Sequence, residues 1–232
     1  MISSHILSDF YSVVDFQTSS DFFIIHESGK SATIKEAKFF LSGIDFNYCG
    51  DAFWSKSEDL YQRSSQEFKF RKHCDGFAIF SYQEQNYLVW IELKSGFNEV
   101  FNNAIFQISA CYTKMKSYLN NFSSYNSADY KEFGIVVSMP ENDHNDSGIE
   151  TNEIISGRRN LLIKQSESVI DKTRRLFRKT GMINIDGKDF GANELQLRTD
   201  ILPDNLPVFH CAASNGTVNI DLKLIIAKVN TL

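Results

Sequence analysis

Asp75, Glu92 and Lys94 are charged residues set in apolar sequence. Asp75 lies near the start of a β-rich stretch, Cys74 to Tyr82, and Glu92 and Lys94 close a second, Asn86 to Lys94, in the phrase YLVWIELKSG. Side chains alternate along a strand, so Glu92 and Lys94 share a face and Leu93 points away. The polar Gln83-Glu84-Gln85 between the two stretches reads as the turn of an antiparallel hairpin. A turn centred on Gln83 and Glu84 sets Asp75 opposite Glu92; a turn one residue later sets it opposite Lys94. Either register gathers the three side chains. Two carboxylates held close repel each other unless a cation lies between them. Oxygen ligands of this kind suit Mg²⁺ or Mn²⁺. A lysine beside such a metal can position a water and stabilise charge on a phosphate.

The surrounding elements follow from periodicity. After Gly96, the residues Val100, Ala104, Ile108, Cys111, Met115 and Leu119 recur at helical spacing, which predicts a helix over 97–121. The run FGIVVSM, 133–139, predicts a buried strand. Upstream, Phe22 to His26 suggests a short strand. Thr33-Ile-Lys-Glu36 reads as a capping box opening a short helix over 37–41. Downstream, a second long helix is expected over 160–180, capped by Gly181. Val208 to Ala212 and Val218 to Val229 are expected as strands, with Ser214-Asn215-Gly216 as a hairpin turn. These elements predict an α/β fold, a mixed central β-sheet flanked by helices. One domain is expected over 1–232, its core at about 33–140 and completed by the helix and terminal β-hairpin of 158–232.

The Asp-x16-Glu-Leu-Lys pattern, on a hairpin followed by a helix and a strand, resembles the PD-(D/E)xK nuclease superfamily and its RecB-like branch. The resemblance covers about residues 67–139 and implies a restriction-endonuclease-like fold. It implies that Asp75 and Glu92 bind Mg²⁺ or Mn²⁺ with help from the Leu93 backbone carbonyl, and that Lys94 orients or activates water. It also brings Gln107 into the site. Tyr112 departs from the branch's Gln-x3-Tyr spacing, since here the spacing is Gln-x4-Tyr, and packing is the preferred reading for it. Where the family often shows Pro-Asp, this chain has Cys74-Asp75. Many members add an upstream acid, for which Glu36, Glu58 and Glu67 are the candidates. The implied activity is divalent-metal-dependent endonucleolytic cleavage of DNA, as in a bacterial restriction or anti-phage effector. The alternatives are a metal-dependent RNA endonuclease, or a catalytically silent module that binds nucleic acid or a protein. Cleaving two strands calls for two sites, so a homodimer or partner subunit is expected.

Charge layout bears on DNA contact. The chain of 232 residues carries a formal charge of −5, which alone disfavours tight nucleic-acid binding. The charge is unevenly spread: 141–153 holds five acids and no Lys or Arg, whereas 158–179 holds eight basic residues and two acids. Arg174, Arg175, Arg178 and Lys179 are candidates to grip a phosphate backbone, with Lys164 and Lys172 extending that face and Lys114 on the earlier helix. The four cysteines, 49, 74, 111 and 211, include no C-x-x-C, so buried thiols are expected rather than a zinc site or disulfides. His73 shares the Asp75 face by alternation alone; His5, His26, His144 and His210 show no ligand spacing. No phosphate-binding G-x-x-x-x-G-K-[ST] and no G-x-S-x-G is present, which excludes an ATPase motor and a serine hydrolase of that type. No segment has the length and apolarity of a membrane helix, and no basic leader precedes an apolar run, so a cytoplasmic protein without membrane contact is expected.

Overall fold

A computed structural model of the chain describes residues 16–27, 29, 32–50, 74–96, 104–120, 125–140, 177, 179–185, 205–213 and 216–232. Among these residues the strands are β1 (Gln17–His26), β2 (Ile34–Cys49), β3 (Gly76–Tyr82), β4 (Gln85–Lys94), β5 (Tyr130–Ser138), β6 (Met182–Ile185), β7 (Leu206–Ala212) and β8 (Gly216–Asp221), and the helices described from end to end are α1 (Ile105–Leu119) and α2 (Leu222–Val229). All eight strands join one mixed sheet, in the order β1-β2-β3-β4-β5-β7-β6, with β8 paired to β2. The α/β class with a mixed central sheet is therefore present.

The site-bearing hairpin is β3–β4. Tyr82 pairs with Gln85 and Gly76 with Ile91, so the turn is two residues long and centres on Gln83 and Glu84. Both take positive φ, 49° and 65°, the backbone that turns of this length require. After β4 the chain crosses through α1 and returns as β5, parallel to β4. β7 adds in parallel to β5. Parallel neighbours need such a crossover, and here the helix supplies it.

The sheet has two apolar faces. Phe77, Ile79, Leu88, Trp90, Val136 and Val208 meet Ile108, Cys111, Met115 and Leu119 of α1 on one. Ala78, Val89, Ile91, Phe133, Ile135 and Phe209 meet Leu222, Ile225, Ile226 and Val229 of α2 on the other. Gly134 allows the close approach of α1: a Cβ there would lie 3.2 Å from Ile108 Cδ1 and 3.0 Å from Val208 Cγ2.

Two expectations are overturned. The helix expected over 37–41 is part of β2. Ile34, Ala37 and Leu41 fit helical spacing, but Phe39 is buried as well, while Phe40 and Ser42 are exposed. That alternation is satisfied by pairing with β1 along one edge of β2 and with β8 and β3 along the other, and tertiary pairing overrides a local cap motif. At the C-terminal end, β7 and β8 form no hairpin: β7 pairs with β5 and β6, and β8 pairs in parallel with β2. The strand expected to reach Val229 stops at Asp221, whose side chain accepts from the Lys223 N–H and caps α2. Leu222, Ile225, Ile226 and Val229 are spaced for one helical face, a signal that the alternation of NIDLK obscures. Of the helix expected over 160–180 only its last turn is described. It ends as expected, with Gly181 at φ 65° and its N–H donating to the Phe177 carbonyl at 2.9 Å.

Gln83 and Glu84 hold a left-handed backbone that costs each L-residue about 1 kcal/mol. The double variant Gln83→Asn, Glu84→Gly is expected to raise unfolding free energy by about 1 kcal/mol in urea titration. An unchanged or lower stability would contradict the turn assignment.

Candidate active site

The site forms where the β3–β4 ladder runs out. β3 begins at Gly76, and beyond it Asp75 Oδ2 accepts the Leu93 N–H at 2.6 Å. Continuing the register places Asp75 opposite Glu92, the first of the two alternatives open from sequence. Glu92 and Lys94 continue the row of Leu88 and Trp90, and Asp75 continues that of Phe77 and Ile79, so all three belong to the face that α1 covers.

Helix α1 is tied to this point. Cys111 Sγ accepts the Cys74 N–H at 2.7 Å, and Cys74 stands next to Asp75. In a strand–helix–parallel strand unit the helix runs back against its strands, so its first turns lie at the C-terminal end of β4. Gln107, half-buried one turn before Cys111, therefore sits at the site end of α1. Tyr112 packs against Trp90, ring centroids 5.2 Å apart. It also lines a cleft of about 350 Å³ with Lys116, Tyr130 and Glu132 at the other end of the helix. Lys116 and Glu132 form a part-buried ion pair there, and no sequence motif marks it.

The electrostatics of the three residues are unequal. Glu92 has no solvent exposure and Asp75 is 7% exposed. Lys94 is ion-paired to Glu92 Oε1. Glu92 Oε2 is buried with no hydrogen-bond partner among the described residues. Burial first, and the neighbouring Asp75 second, push the Glu92 carboxyl well above the ordinary glutamate range despite Lys94. Burial pulls the Lys94 ammonium down, but Glu92, Asp75 and Glu27 outweigh it, so its pKa is raised and the lysine stays charged. Glu27, just past the end of β1, is an acid that sequence reading missed. The β1–β2 connection reaches this end of the sheet, where the Thr33 N–H donates to Ser95 Oγ at 2.9 Å.

These features fit a divalent cation: a buried carboxylate oxygen without a partner, beside a second carboxylate. The described donor set is small, and no group of three or more His, Cys, Asp or Glu side chains suited to a metal occurs among the described residues. Glu58, Glu67 and His73 lie outside the described residues. Glu36 is on the outward face of β2, 3.7 Å from His26 Nδ1 and accepting from Thr217 Oγ1 at 2.8 Å. Arg174, Arg175, Arg178, Lys164, Lys172 and the 141–153 segment also lie outside, as does the Lys114 side chain. Lys179 is described and exposed. Cys49, Cys74 and Cys111 are buried free thiols and Cys211 is a half-buried one. Among the described residues no helix is long and apolar enough to cross a membrane. Comparison of the chain with protein-family models, with curated proteins and with solved structures finds no match in any of the three.

A raised carboxyl pKa makes the folded state bind a proton that the unfolded state has released. Stability therefore falls as pH rises from the ordinary glutamate range to the raised value, and stays lowered above it. In metal-free buffer, Glu92→Gln is expected to be more stable than the parent near pH 8, with the difference vanishing near pH 4 in urea titrations. A parent more stable than the variant at the higher pH would contradict the assigned electrostatics.

Proposed function

We propose that the chain is a divalent-metal-dependent nuclease that hydrolyses phosphodiester bonds in DNA. One observation carries the reading: two opposed, buried carboxylates with a lysine on the same face, at the C-terminal end of parallel strands. Ligands in open α/β sheets gather at that end. The element order also supports it, since an antiparallel hairpin, a helix and a parallel strand follow one another as in the PD-(D/E)xK nucleases. In this reading Asp75 and Glu92 hold Mg²⁺ or Mn²⁺, helped by the backbone carbonyl of Leu93, which follows Glu92 in sequence. A bound metal of this type neutralises a phosphate oxygen and lowers the pKa of a water ligand. Lys94, charged and anchored by Glu92, orients that water and faces the phosphate. Gln107 supports the site from the first turns of α1. The formal charge of −5 leaves weak non-specific attraction to DNA, which favours action as a dimer or with a partner subunit.

The test is cleavage of supercoiled plasmid, linear duplex, single-stranded DNA and RNA with Mg²⁺ or Mn²⁺, beside an EDTA control. Glu92→Ala and Lys94→Ala are each expected to lose at least about 100-fold in rate. Metal-dependent cutting of RNA alone would move the substrate to RNA. Activity retained by both variants would place the chemistry elsewhere, and binding without cutting would favour the silent module.

A further inference from the structure

The cleft at the far end of α1 is built on an ion pair with bonding capacity to spare. Lys116 follows Gln107 by nine residues, about 14 Å along the helix, so the cleft and the acid cluster lie at opposite ends of α1. Lys116 Nζ donates to Glu132 Oε1 and to the Tyr125 hydroxyl at 2.5 Å, and that hydroxyl donates to the same Glu132 oxygen at 3.1 Å. Burial and the neighbouring Glu132 raise the Tyr125 pKa, so the phenol keeps the proton it donates. An ammonium has three N–H donors and a carboxylate two oxygens. One Lys116 N–H and Glu132 Oε2 therefore have no partner among the described residues. Both residues line the cleft, whose volume of about 350 Å³ is at the low end for ligand pockets. Tyr112, Tyr130, Ser127 and Asn205 line it as well. The two tyrosine walls are braced from behind, Tyr112 by the Trp90 ring at 5.2 Å and Tyr130 by the Tyr125 ring at 5.3 Å. The lining holds one positive and one negative group, so it suits a neutral, flat molecule better than a phosphate or a carboxylate.

We propose that this cleft binds one nucleobase, read at an edge where a ring carbonyl adjoins a ring N–H, as in guanine, uracil or thymine. The carbonyl oxygen accepts the spare Lys116 N–H, and the adjoining N–H donates to Glu132 Oε2. Lys116 and Glu132 are in direct contact, so their spare donor and acceptor lie side by side, as the two base atoms do. Both bonds are charge-assisted, which favours a carbonyl oxygen and an acidic ring N–H over the ring nitrogen and amino group of adenine or cytosine. The tyrosines offer aromatic surface, and stacking on such rings together with edge hydrogen bonds is the general way an unpaired base is held. The base comes from a free nucleoside or from an unpaired residue of a strand. The inference does not depend on the nuclease reading.

The test is isothermal titration calorimetry of the parent protein with guanosine, thymidine, adenosine and cytidine, in EDTA so that neither metal binding nor cleavage contributes. Guanosine methylated at N1 and thymidine methylated at N3, which lack the ring N–H, are titrated beside them. Guanosine or thymidine is expected to bind saturably, with adenosine and cytidine weaker and the methylated forms weaker by about tenfold or more. Glu132→Gln, which keeps the side-chain shape, and Lys116→Met are expected to lose as much. A short oligothymidylate separates the two sources: tighter binding than thymidine assigns the site to a strand, and equal or weaker binding assigns it to the free nucleoside. No saturable binding of any of these probes would overturn the proposal. So would unchanged affinity for the methylated forms, or equal affinity for all four nucleosides. These outcomes are read on the parent alone, so they hold even where a variant fails to fold.

Discussion

Glu92 is a carboxylate with no solvent exposure, set beside a second carboxylate, with one ammonium among the described residues to offset both. Taking one such group out of water costs several kcal/mol unless its charge is compensated. Lys94 compensates only part of it, and Glu27 adds further negative potential nearby. Two ways remain to neutralise the excess, a proton on Glu92 or a cation at its unpartnered oxygen. The raised carboxyl pKa is the first way. The second is what the proposed metal-dependent hydrolase needs, and in that reading the arrangement gives up stability to form a binding site.

The rest of the fold holds that arrangement in place. The tight β3–β4 turn sets the register that opposes Asp75 and Glu92. The Leu93 N–H holds the Asp75 carboxylate where backbone pairing ends. The Cys74–Cys111 contact fastens α1 to the same point, and Gly134 lets the helix lie close on the sheet. Each contact is modest alone, and together they leave the carboxylates little room to move apart.

The hairpin strands and the strand over 133–139 were legible as short apolar runs buried on both faces, and the helix between them as a run at helical spacing. The choice between two hairpin registers was not legible, since Gln83 and Glu84 are poor advertisements for a turn that needs positive φ. The 33–41 stretch misled because Ile34, Ala37 and Leu41 fit helical spacing, and only sheet pairing, with a bulge between Ile34 and Glu36, reveals the strand. The C-terminal turn motif misled because β8 finds its partner in β2, far away in sequence. Within the site, Asp75, Glu92 and Lys94 were readable as charges embedded in apolar sequence. Glu27 was not, because only the β1–β2 connection brings it near.

The most direct measurement is Mn²⁺ binding to the parent protein, Asp75→Asn and Glu92→Gln, followed by the loss of the free-ion electron paramagnetic resonance signal. The account predicts a saturable site in the parent that weakens strongly in each variant. Absence of binding in the parent, or equal binding in all three, would contradict it.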